Sequence, residues 1–199
     1  MNPKHLVSAA ALAMMAAMPV AAQEAGTITL GLGVHNVDPK SDNGDLAGMK
    51  ASVGSSTRPT ITLEYFIYDN VGVELLAALP FKHDVKLNGA KVGSVKQLPP
   101  VVSLQYHFAN DSIVTPFVGV GLNFTTFFSE DSDLGNLSLK NSWGLAAHIG
   151  ADFALNDNAS IRVDARWIDI DSEVRLNGQK IGTVDIDPLA YGVAYVWKF

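Results

Sequence analysis

The last nine residues, Tyr191-Gly192-Val193-Ala194-Tyr195-Val196-Trp197-Lys198-Phe199, alternate strictly between two kinds of side chain. Successive side chains of a β-strand point to opposite faces, so odd-numbered positions form one row and even-numbered positions the other. The odd row is bulky and apolar or aromatic, whereas the even row is small apart from Lys198. The segment therefore predicts a strand with one large apolar face and one narrow face.

The N-terminus carries the features of a secretory signal peptide. Lys4 supplies a positive charge, residues 6–18 are an uncharged apolar run, and small residues precede Gln23. This run is too short and wrongly flanked for a membrane-spanning helix. We therefore expect residues 1–22 to be a signal peptide and residues 23–199 to be the mature domain.

Composition narrows the class of the mature chain. The net charge of −6 disfavours nucleic acid as a partner, and the absence of cysteine removes disulfides and thiolate metal sites. Hydrophobic residues make up 48% of the chain, yet no apolar run after Ala22 approaches the roughly 20 residues that a membrane helix needs. An exported apolar chain of this kind is a secreted β-protein or an outer-membrane barrel.

Alternation with a period of two recurs along the whole chain between turn residues. It predicts eight strands, at residues 26–36, 60–68, 71–81, 102–108, 117–124, 143–153, 161–167 and 191–199. Asn88-Gly89 and Asn177-Gly178 suit hairpin turns and lie in a repeated segment, residues 85–95 and 174–184, which reflects either shared origin or selection of the same turn. Short turns alternate with long connections at 37–57 and 129–138, an asymmetry typical of membrane barrels with both termini in the periplasm.

The distribution of small residues decides which row faces lipid. Glycine and alanine share the face of the charged residues, as in Gly119, Gly150 and Ala194. The interior of an eight-stranded barrel is only wide enough for side chains to fill it, so small residues are needed there, whereas a face in water sets no such limit on size. The other row is apolar, with aromatic residues near the strand ends as in the girdles of a transmembrane barrel. These are Tyr65, Tyr106, Phe108, Phe153, Trp197 and Phe199 at one end and Phe81, Phe124 and Trp143 at the other.

Several motifs resemble the outer membrane protein W (OmpW) family. They are residues 70–78 (NVGVELLAA), Pro99-Pro100, residues 116–128 (PFVGVGLNFTTFF), residues 137–144 (LSLKNSWG) and residues 169–171 (DID). The resemblance implies an eight-stranded barrel with a narrow hydrophobic lumen, associated with uptake of small hydrophobic molecules. Some members of the family act as phage or bacteriocin receptors. The C-terminal Phe199 resembles the signal by which such barrels are recognised for assembly.

The lumen-facing row supplies the candidate site. The lumen-lining candidates are Glu64, Phe66, Glu74, Leu76, Phe117, His148, Arg162, Asp164 and Arg166, with His107 and Asp152 as further charged positions. Arg162 and Arg166 suit a polar constriction or an anion path, and equally an internal salt-bridge plug that satisfies buried charge. Arg166 departs from the apolar residue that a purely hydrophobic path would place there.

Other chemistries have weaker support. A lipid-modifying enzyme would need Ser103 or Ser142 close to His148, but no motif joins them. His107 and His148 lack the spacing of a metal-ligand set. The lysines of the first Asn-Gly hairpin suit lipopolysaccharide phosphates or an ordinary solvated hairpin. They are Lys82, Lys86, Lys91 and Lys96.

The sequence thus predicts an outer-membrane β-barrel domain at residues 23–199 that allows passive uptake of small hydrophobic molecules across the outer membrane, without cofactor or turnover. Expected partners are outer-membrane lipid and lipopolysaccharide, the outer-membrane assembly machinery and the hydrophobic molecules themselves. The alternative is a structural or receptor barrel with a closed lumen. Its outer loops, 37–57 and 129–138, would bind phage, bacteriocin or lipopolysaccharide.

Overall fold

The computed structural model describes residues 23–199, so the expected signal peptide lies outside the described residues. These residues form fifteen β-strands. In chain order they are β1 (Ile28–Asp38), β2 (Asp45–Leu46), β3 (Met49–Val53), β4 (Ser56–Tyr68), β5 (Val71–Ala78), β6 (Phe81–Leu87), β7 (Ala90–Leu98), β8 (Val101–His107), β9 (Val114–Ser132), β10 (Leu137–Leu139), β11 (Ser142–Asn156), β12 (Ala159–Ile168), β13 (Asp171–Leu176), β14 (Gln179–Asp185) and β15 (Leu189–Lys198). Within residues 23–199, no helix is long and apolar enough to cross a membrane.

Eight of the strands close into an antiparallel barrel. Their order around the ring is β1-β4-β5-β8-β9-β11-β12-β15 and back to β1. The C-terminal strand closes it, with pairs running from Thr29 and Lys198 to Asp38 and Leu189. The eight predicted strands each correspond to one of these barrel strands, and the predicted all-β, eight-stranded fold is confirmed.

The two rows of each barrel strand have different surroundings. On β15, Tyr191 and Val193 are exposed to the exterior, whereas Ala190, Ala194 and Val196 are buried inside. The same division gives the barrel an outer surface of large apolar side chains. That surface suits a hydrocarbon environment, because burying it in lipid is favourable whereas exposing so much of it to water is not.

Glycines on the inner row make room for large polar and aromatic side chains. A Cβ atom added to Gly119 would collide with the ring of His148, and one added to Gly192 would collide with the ring of His35. A Cβ atom added to Gly150 would likewise collide with the ring of Phe117. The narrow face of these strands therefore holds the bulky interior residues of neighbouring strands.

The remaining strands continue the sheet beyond the barrel, at the end away from the chain termini. We call β2, β3, β6, β7, β10, β13, β14 and the last third of β9 the extension; its pairing order is β9-β7-β6-β3-β2-β14-β13-β10. The sequence predicted loops at 37–57 and 129–138, but the structure places β2 and β3 in the first and the end of β9 and β10 in the second. These short, polar strands obtain their order from pairing with the two Asn-Gly hairpins, β6–β7 and β13–β14.

The prediction that Phe81 belongs to the outer aromatic girdle is wrong. Strand β5 ends at Ala78, and the chain resumes pairing at Phe81 as the first residue of β6. Pro80 lies in this break, where a residue without an N–H cannot continue the ladder. The phase of alternation shifts across the break, so Phe81 is buried inside against Val37 and Ala190.

Candidate functional site

The middle of the barrel interior holds a continuous layer of polar and charged side chains. Six of the eight barrel strands contribute to it, and none of its members is more than 7% exposed. We call it the charged layer; its members are His35, Glu64, Glu74, Gln105, His107, His148, Asp152, Arg162, Asp164 and Arg166. Six of the nine predicted lumen-lining residues belong to it, and Phe66 and Phe117 pack against it.

Arg162 is the hub of the charged layer. Its Nε and Nη2 atoms donate to the two oxygens of Asp152 at 2.8 and 2.9 Å, and its Nη1 donates to Glu74 Oε2 at 2.8 Å. Nη2 also donates to Glu64 Oε2 at 3.2 Å. The guanidinium lies 4.6 Å from the ring centroid of Phe117. Three carboxylates and one aromatic face therefore compensate a cation that has lost its water.

Arg166 lies two inward positions above Arg162 on β12 and forms a second group that is linked to the first. Its Nε donates to Asp164 Oδ2 at 2.7 Å, and its Nη2 lies 2.7 Å from Glu74 Oε1. His35 Nε2 in turn lies 3.2 Å from Asp164 Oδ1, and His35 Nδ1 is 2.8 Å from the Thr60 hydroxyl. Glu74 thus joins the two arginines into one network.

The third part of the layer is built on β8. His107 Nε2 lies 2.9 Å from Glu64 Oε1, and Gln105 Nε2 donates to the same oxygen at 3.0 Å. The carbonyl of Gln105 accepts from His148 Nε2 at 2.7 Å. Below them, the rings of Phe66 and Phe117 pack against His107 at centroid distances of 5.0 and 5.4 Å.

Two members of the layer, His35 and Gln105, were not among the predicted site residues. Both lie on the inner row of a predicted strand, His35 beside Gly33 and Gln105 beside Ser103. Their place on this row was the sequence feature that could have identified them as lumen residues. Gln105 carries no charge and His35 lies near the end of its predicted strand, so neither was selected as a lumen charge.

This arrangement closes the barrel axis at mid-height. Buried charges are stable only when paired, and removing one partner leaves a strongly destabilising unpaired ion. An apolar molecule crossing the layer would have to separate these pairs and could offer no hydrogen bonds in return. Of the two interpretations of Arg162 and Arg166, the geometry is that of a salt-bridge plug.

Above the charged layer, the interior turns apolar. Leu76, Val101 and Ile168 line the top of the barrel, and the extension continues this surface with inward side chains from nearly every strand. Its buried members include Leu46, Val85, Leu87, Val95, Phe127, Ile170, Val174, Val184 and Ile186. We call this the apolar interior. Leu76, a predicted lumen-lining residue, lies at its base, one inward position above Glu74.

The barrel wall is interrupted at the base of the apolar interior. The β5–β8 ladder runs from Val71 and Tyr106 up to Leu76 and Val101, where it stops. The residues that precede β8 are Pro99 and Pro100, whose nitrogens carry no hydrogen to donate to β5. The edge between Ala77–Ala78 and Pro99–Pro100 therefore carries no backbone ladder, and we call it the seam.

The geometry does not assemble the alternative chemistries. His148 Nε2 is engaged with Gln105, and Ser142 Oγ accepts from the Asp171 N–H. Ser103 Oγ has no hydrogen-bond partner within the described residues 23–199. A nucleophile and base in hydrogen-bond contact, as acyl transfer requires, are not formed by these side chains. Over the same residues, no group of three or more His, Asp or Glu side chains has metal-binding geometry.

The outer side of the extension carries its own charges. Lys82 and Lys96 are direct register partners on β6 and β7. Farther along the hairpin, the Lys91 ammonium lies 2.8 Å from Asp84 and lowers the pKa of that carboxyl. Hydrogen bonds from Lys140, Arg175 and Lys180 lower the pKa of Glu173 to about 2, which ties β10, β13 and β14 together.

A closed eight-stranded barrel with an apolar outer surface and a charged interior is a transmembrane β-barrel of the outer-membrane class. The chain belongs to the OmpW family, whose family model matches residues 24–199. It is 33% identical to outer membrane protein W of Vibrio cholerae serotype O1, over 96% of each chain. The protein is accordingly an outer-membrane barrel.

Solved structures agree with this placement. The crystal structure of OprG from Pseudomonas aeruginosa superposes with a TM-score of 0.78 at 34% identity, covering 89% of this chain and 97% of OprG. The solution structure of outer membrane protein W from E. coli gives a TM-score of 0.65 at 33% identity, covering 88% of this chain and 99% of that one.

Proposed function

We propose that the barrel passively admits small hydrophobic molecules from outside the cell into the outer membrane. The observation that carries the proposal is the stacking of two layers in one interior, an apolar interior that ends directly on a buried charged layer. An apolar molecule is favoured in the first layer and opposed by the second. Such a molecule is therefore expected to enter the apolar interior but not to pass along the barrel axis through the charged layer.

The interruption in the wall offers the exit. It lies between Ala77 and Pro100, level with Leu76 and Val101 and just above Glu74. A molecule stopped by the charged layer would meet apolar side chains and an unladdered seam on this side. We infer that it leaves sideways through the seam into the hydrocarbon of the membrane. No cofactor, energy source or covalent step is needed for such a route.

The orientation that this route needs is part of the proposal. The turns at the end carrying the termini are short, as at Asp69–Asn70 and Asp157–Asn158, whereas the opposite end carries the extension. In outer-membrane barrels, short turns face the periplasm and long connections face outward. We place both termini in the periplasm and the apolar interior toward the outside.

One relative supports the chemical class. A protein of Pseudomonas aeruginosa, 28% identical over 76% of each chain, is named dibenzothiophene metabolism operon protein PahQ. Dibenzothiophene is a small, uncharged aromatic molecule, of the kind that the apolar interior would accept.

A pair of cysteines across the seam tests the route, because the chain has no cysteine of its own. Ala77→Cys with Pro100→Cys joins opposed positions just beyond the last ladder pair, Leu76 and Val101. Val73→Cys with Leu104→Cys is the matched control, since these residues are partners within the intact ladder. The protein is placed in vesicles with a lipopolysaccharide outer leaflet, and transfer of naphthalene to a fluorescent acceptor in the bilayer is timed.

We expect oxidation of A77C/P100C to slow transfer toward the rate of protein-free vesicles and reduction to restore it. The oxidised control should stay at the wild-type rate. Wild-type transfer no faster than that of protein-free vesicles would refute uptake. Unchanged transfer through oxidised A77C/P100C would refute the lateral exit.

A second candidate function is binding of lipopolysaccharide phosphate by the outer side of the extension. Lys82 faces Lys96 across β6 and β7, and neither forms an ion pair with an acidic residue in residues 23–199. Like charges directly opposite each other destabilise a sheet unless an anion compensates them. Lys82 follows shortly after the exposed Leu79, and we infer that the apolar outer surface ends at this height and that lipid phosphates begin there.

The test compares two double substitutions of equal charge. Lys82→Gln with Lys96→Gln removes the facing pair, whereas Lys86→Gln with Lys91→Gln removes two lysines near the hairpin tip. We expect added lipopolysaccharide to raise the thermal unfolding temperature of the wild type and of the tip variant, and to raise that of K82Q/K96Q less. Equal shifts in all three would refute this contact.

A further inference from the structure

A buried amide stands near the base of the apolar interior, just above the seam. Gln97 lies on β7, two residues from Pro99, and is fully buried. In register, it is paired with Phe81 on β6 and with Phe127 on β9. Both aromatic residues are also buried. A polar side chain is thus held between two buried aromatic residues, with the buried His83 beside it.

Hydrogen bonds fix which way this amide points. His83 Nδ1 donates to the Gly54 carbonyl at 2.6 Å, since a carbonyl can only accept. Burial lowers the pKa of His83, so the ring is neutral near pH 7 and its Nε2 is an acceptor. Gln97 Nε2 donates to this nitrogen at 3.0 Å. Rotating the amide by half a turn would set two acceptors against each other.

The consequence is an acceptor with a fixed position and no partner. Gln97 Oε1 is buried and makes no hydrogen bond to any of residues 23–199. A buried carbonyl without a donor is unfavourable, and a ligand that supplies one gains the hydrogen bond and relieves that cost. The side chain is ordered by His83 and Gly54, so little further ordering is needed on binding.

We propose that Gln97, between Phe81 and Phe127, forms a subsite for apolar molecules that carry one hydrogen-bond donor, such as phenols and alcohols. The proposal rests on the uptake function above and names the molecules that it favours. Gln97 Oε1 accepts from the hydroxyl, while the aromatic residues contact the hydrocarbon body. A pure hydrocarbon leaves the acceptor unpaired, and an ether or ketone presents only another acceptor. The site therefore discriminates by donor rather than by size.

Three probes of similar shape isolate the donor: 2-naphthol, 2-methoxynaphthalene and naphthalene. Binding to the full, folded barrel is followed by the intrinsic fluorescence of each probe. Gln97→Met keeps the length of the side chain and removes its acceptor. Gln179→Met, at the exposed start of β14, is the matched control. Heat-modifiable gel mobility verifies that each variant is a folded barrel.

We expect Gln97→Met to weaken 2-naphthol binding roughly fivefold, the effect of one net hydrogen bond, and to leave the other two probes unchanged. Gln179→Met should change none of the three. In the wild type, 2-naphthol should also shift the side-chain amide resonances of Gln97 in nuclear magnetic resonance spectra, whereas 2-methoxynaphthalene should shift them less.

The outcomes separate this inference from the function on which it rests. If all three probes bind the wild type and Gln97→Met affects them equally, the donor subsite is refuted while uptake stands. If no probe binds the wild type and none is transferred in the vesicle experiment, the uptake function fails as well.

Discussion

Arg162 and Glu74 join opposite walls of the barrel. Their side chains meet at 2.8 Å between β12 and β5, which stand four places apart in the ring of eight and bring together residues 88 positions apart in the chain. The same guanidinium holds Asp152 on the neighbouring strand β11. The charged layer is therefore a cross-brace as well as a barrier.

Removing the hub of this brace should be costly. We expect Arg162→Met to lower the free energy of unfolding by about 3–5 kcal/mol, because three buried carboxylates each lose a cationic partner. Denaturant titration of the detergent-solubilised protein measures this. Arg175→Met is the control, since Arg175 pairs with Glu173 near the surface of the extension, and surface pairs contribute at most about 1 kcal/mol. Equal losses in the two variants would contradict a structural role for the layer.

The small residues on the inner face of β15 lead to a second prediction. Gly192→Ala should destabilise the barrel, because the new methyl group would meet the ring of His35, whose Nε2 is held by Asp164. Overpacking of this kind costs about 1–3 kcal/mol. Gly54→Ala is a suitable comparison, since a Cβ there would meet its nearest atom, the Asp84 carbonyl oxygen, at an ordinary 3.7 Å. A G192A barrel that unfolds at the wild-type denaturant midpoint would show that His35 can move aside.

His83 should make the extension sensitive to acid. Burial lowers its pKa, and the charge of Arg58 lowers it further. As the pH falls below the ordinary histidine value of about 6.5, the unfolded chain takes up the proton first, so stability is lost toward low pH. His83→Gln should remove this part of the pH dependence. The measurement is the slope of the unfolding free energy against pH between about pH 7.5 and 5.5, for the wild type and for His83→Gln. Identical slopes would contradict a role of His83 in the acid sensitivity.

Phe199 is proposed to guide assembly of the barrel. Its backbone exchanges hydrogen bonds with Ile28, at 2.9 and 3.4 Å, while its side chain is exposed at the end of the closing strand. Deleting Phe199 should lower the amount of folded barrel in cell membranes, whereas Phe199→Tyr should preserve it. Transfer of naphthalene per folded barrel should stay the same in both. Normal membrane levels after the deletion would argue against an assembly role.

The number of barrel strands and their two faces were predictable, because successive side chains of a barrel strand must point alternately to lipid and to a crowded interior. Tyr191 and Ala194, for example, can be assigned to opposite faces from their sizes alone. The partners within the charged layer were not predictable. Arg162 selects its carboxylates through the curvature and register of strands that are distant in sequence, and alternation carries no information on either.

The extension was missed for a different reason. Strands of two to five residues, such as Asp45–Leu46 and Met49–Val53, are too short for alternation to stand out from a polar loop. Their order depends on pairing with the two repeated Asn-Gly hairpins, for which the sequence predicted only the turns. Phe81 was misassigned because the break at Pro80 shifts the phase of alternation.

The charged layer also has an electrical consequence. Ions need a continuous path of water, and ten interlocked side chains with almost no exposure occupy the waist of this barrel. We expect single barrels in planar bilayers to carry little or no current, even under conditions in which naphthalene is transferred. A cell could therefore display many copies without admitting salts or water-soluble antibiotics through them.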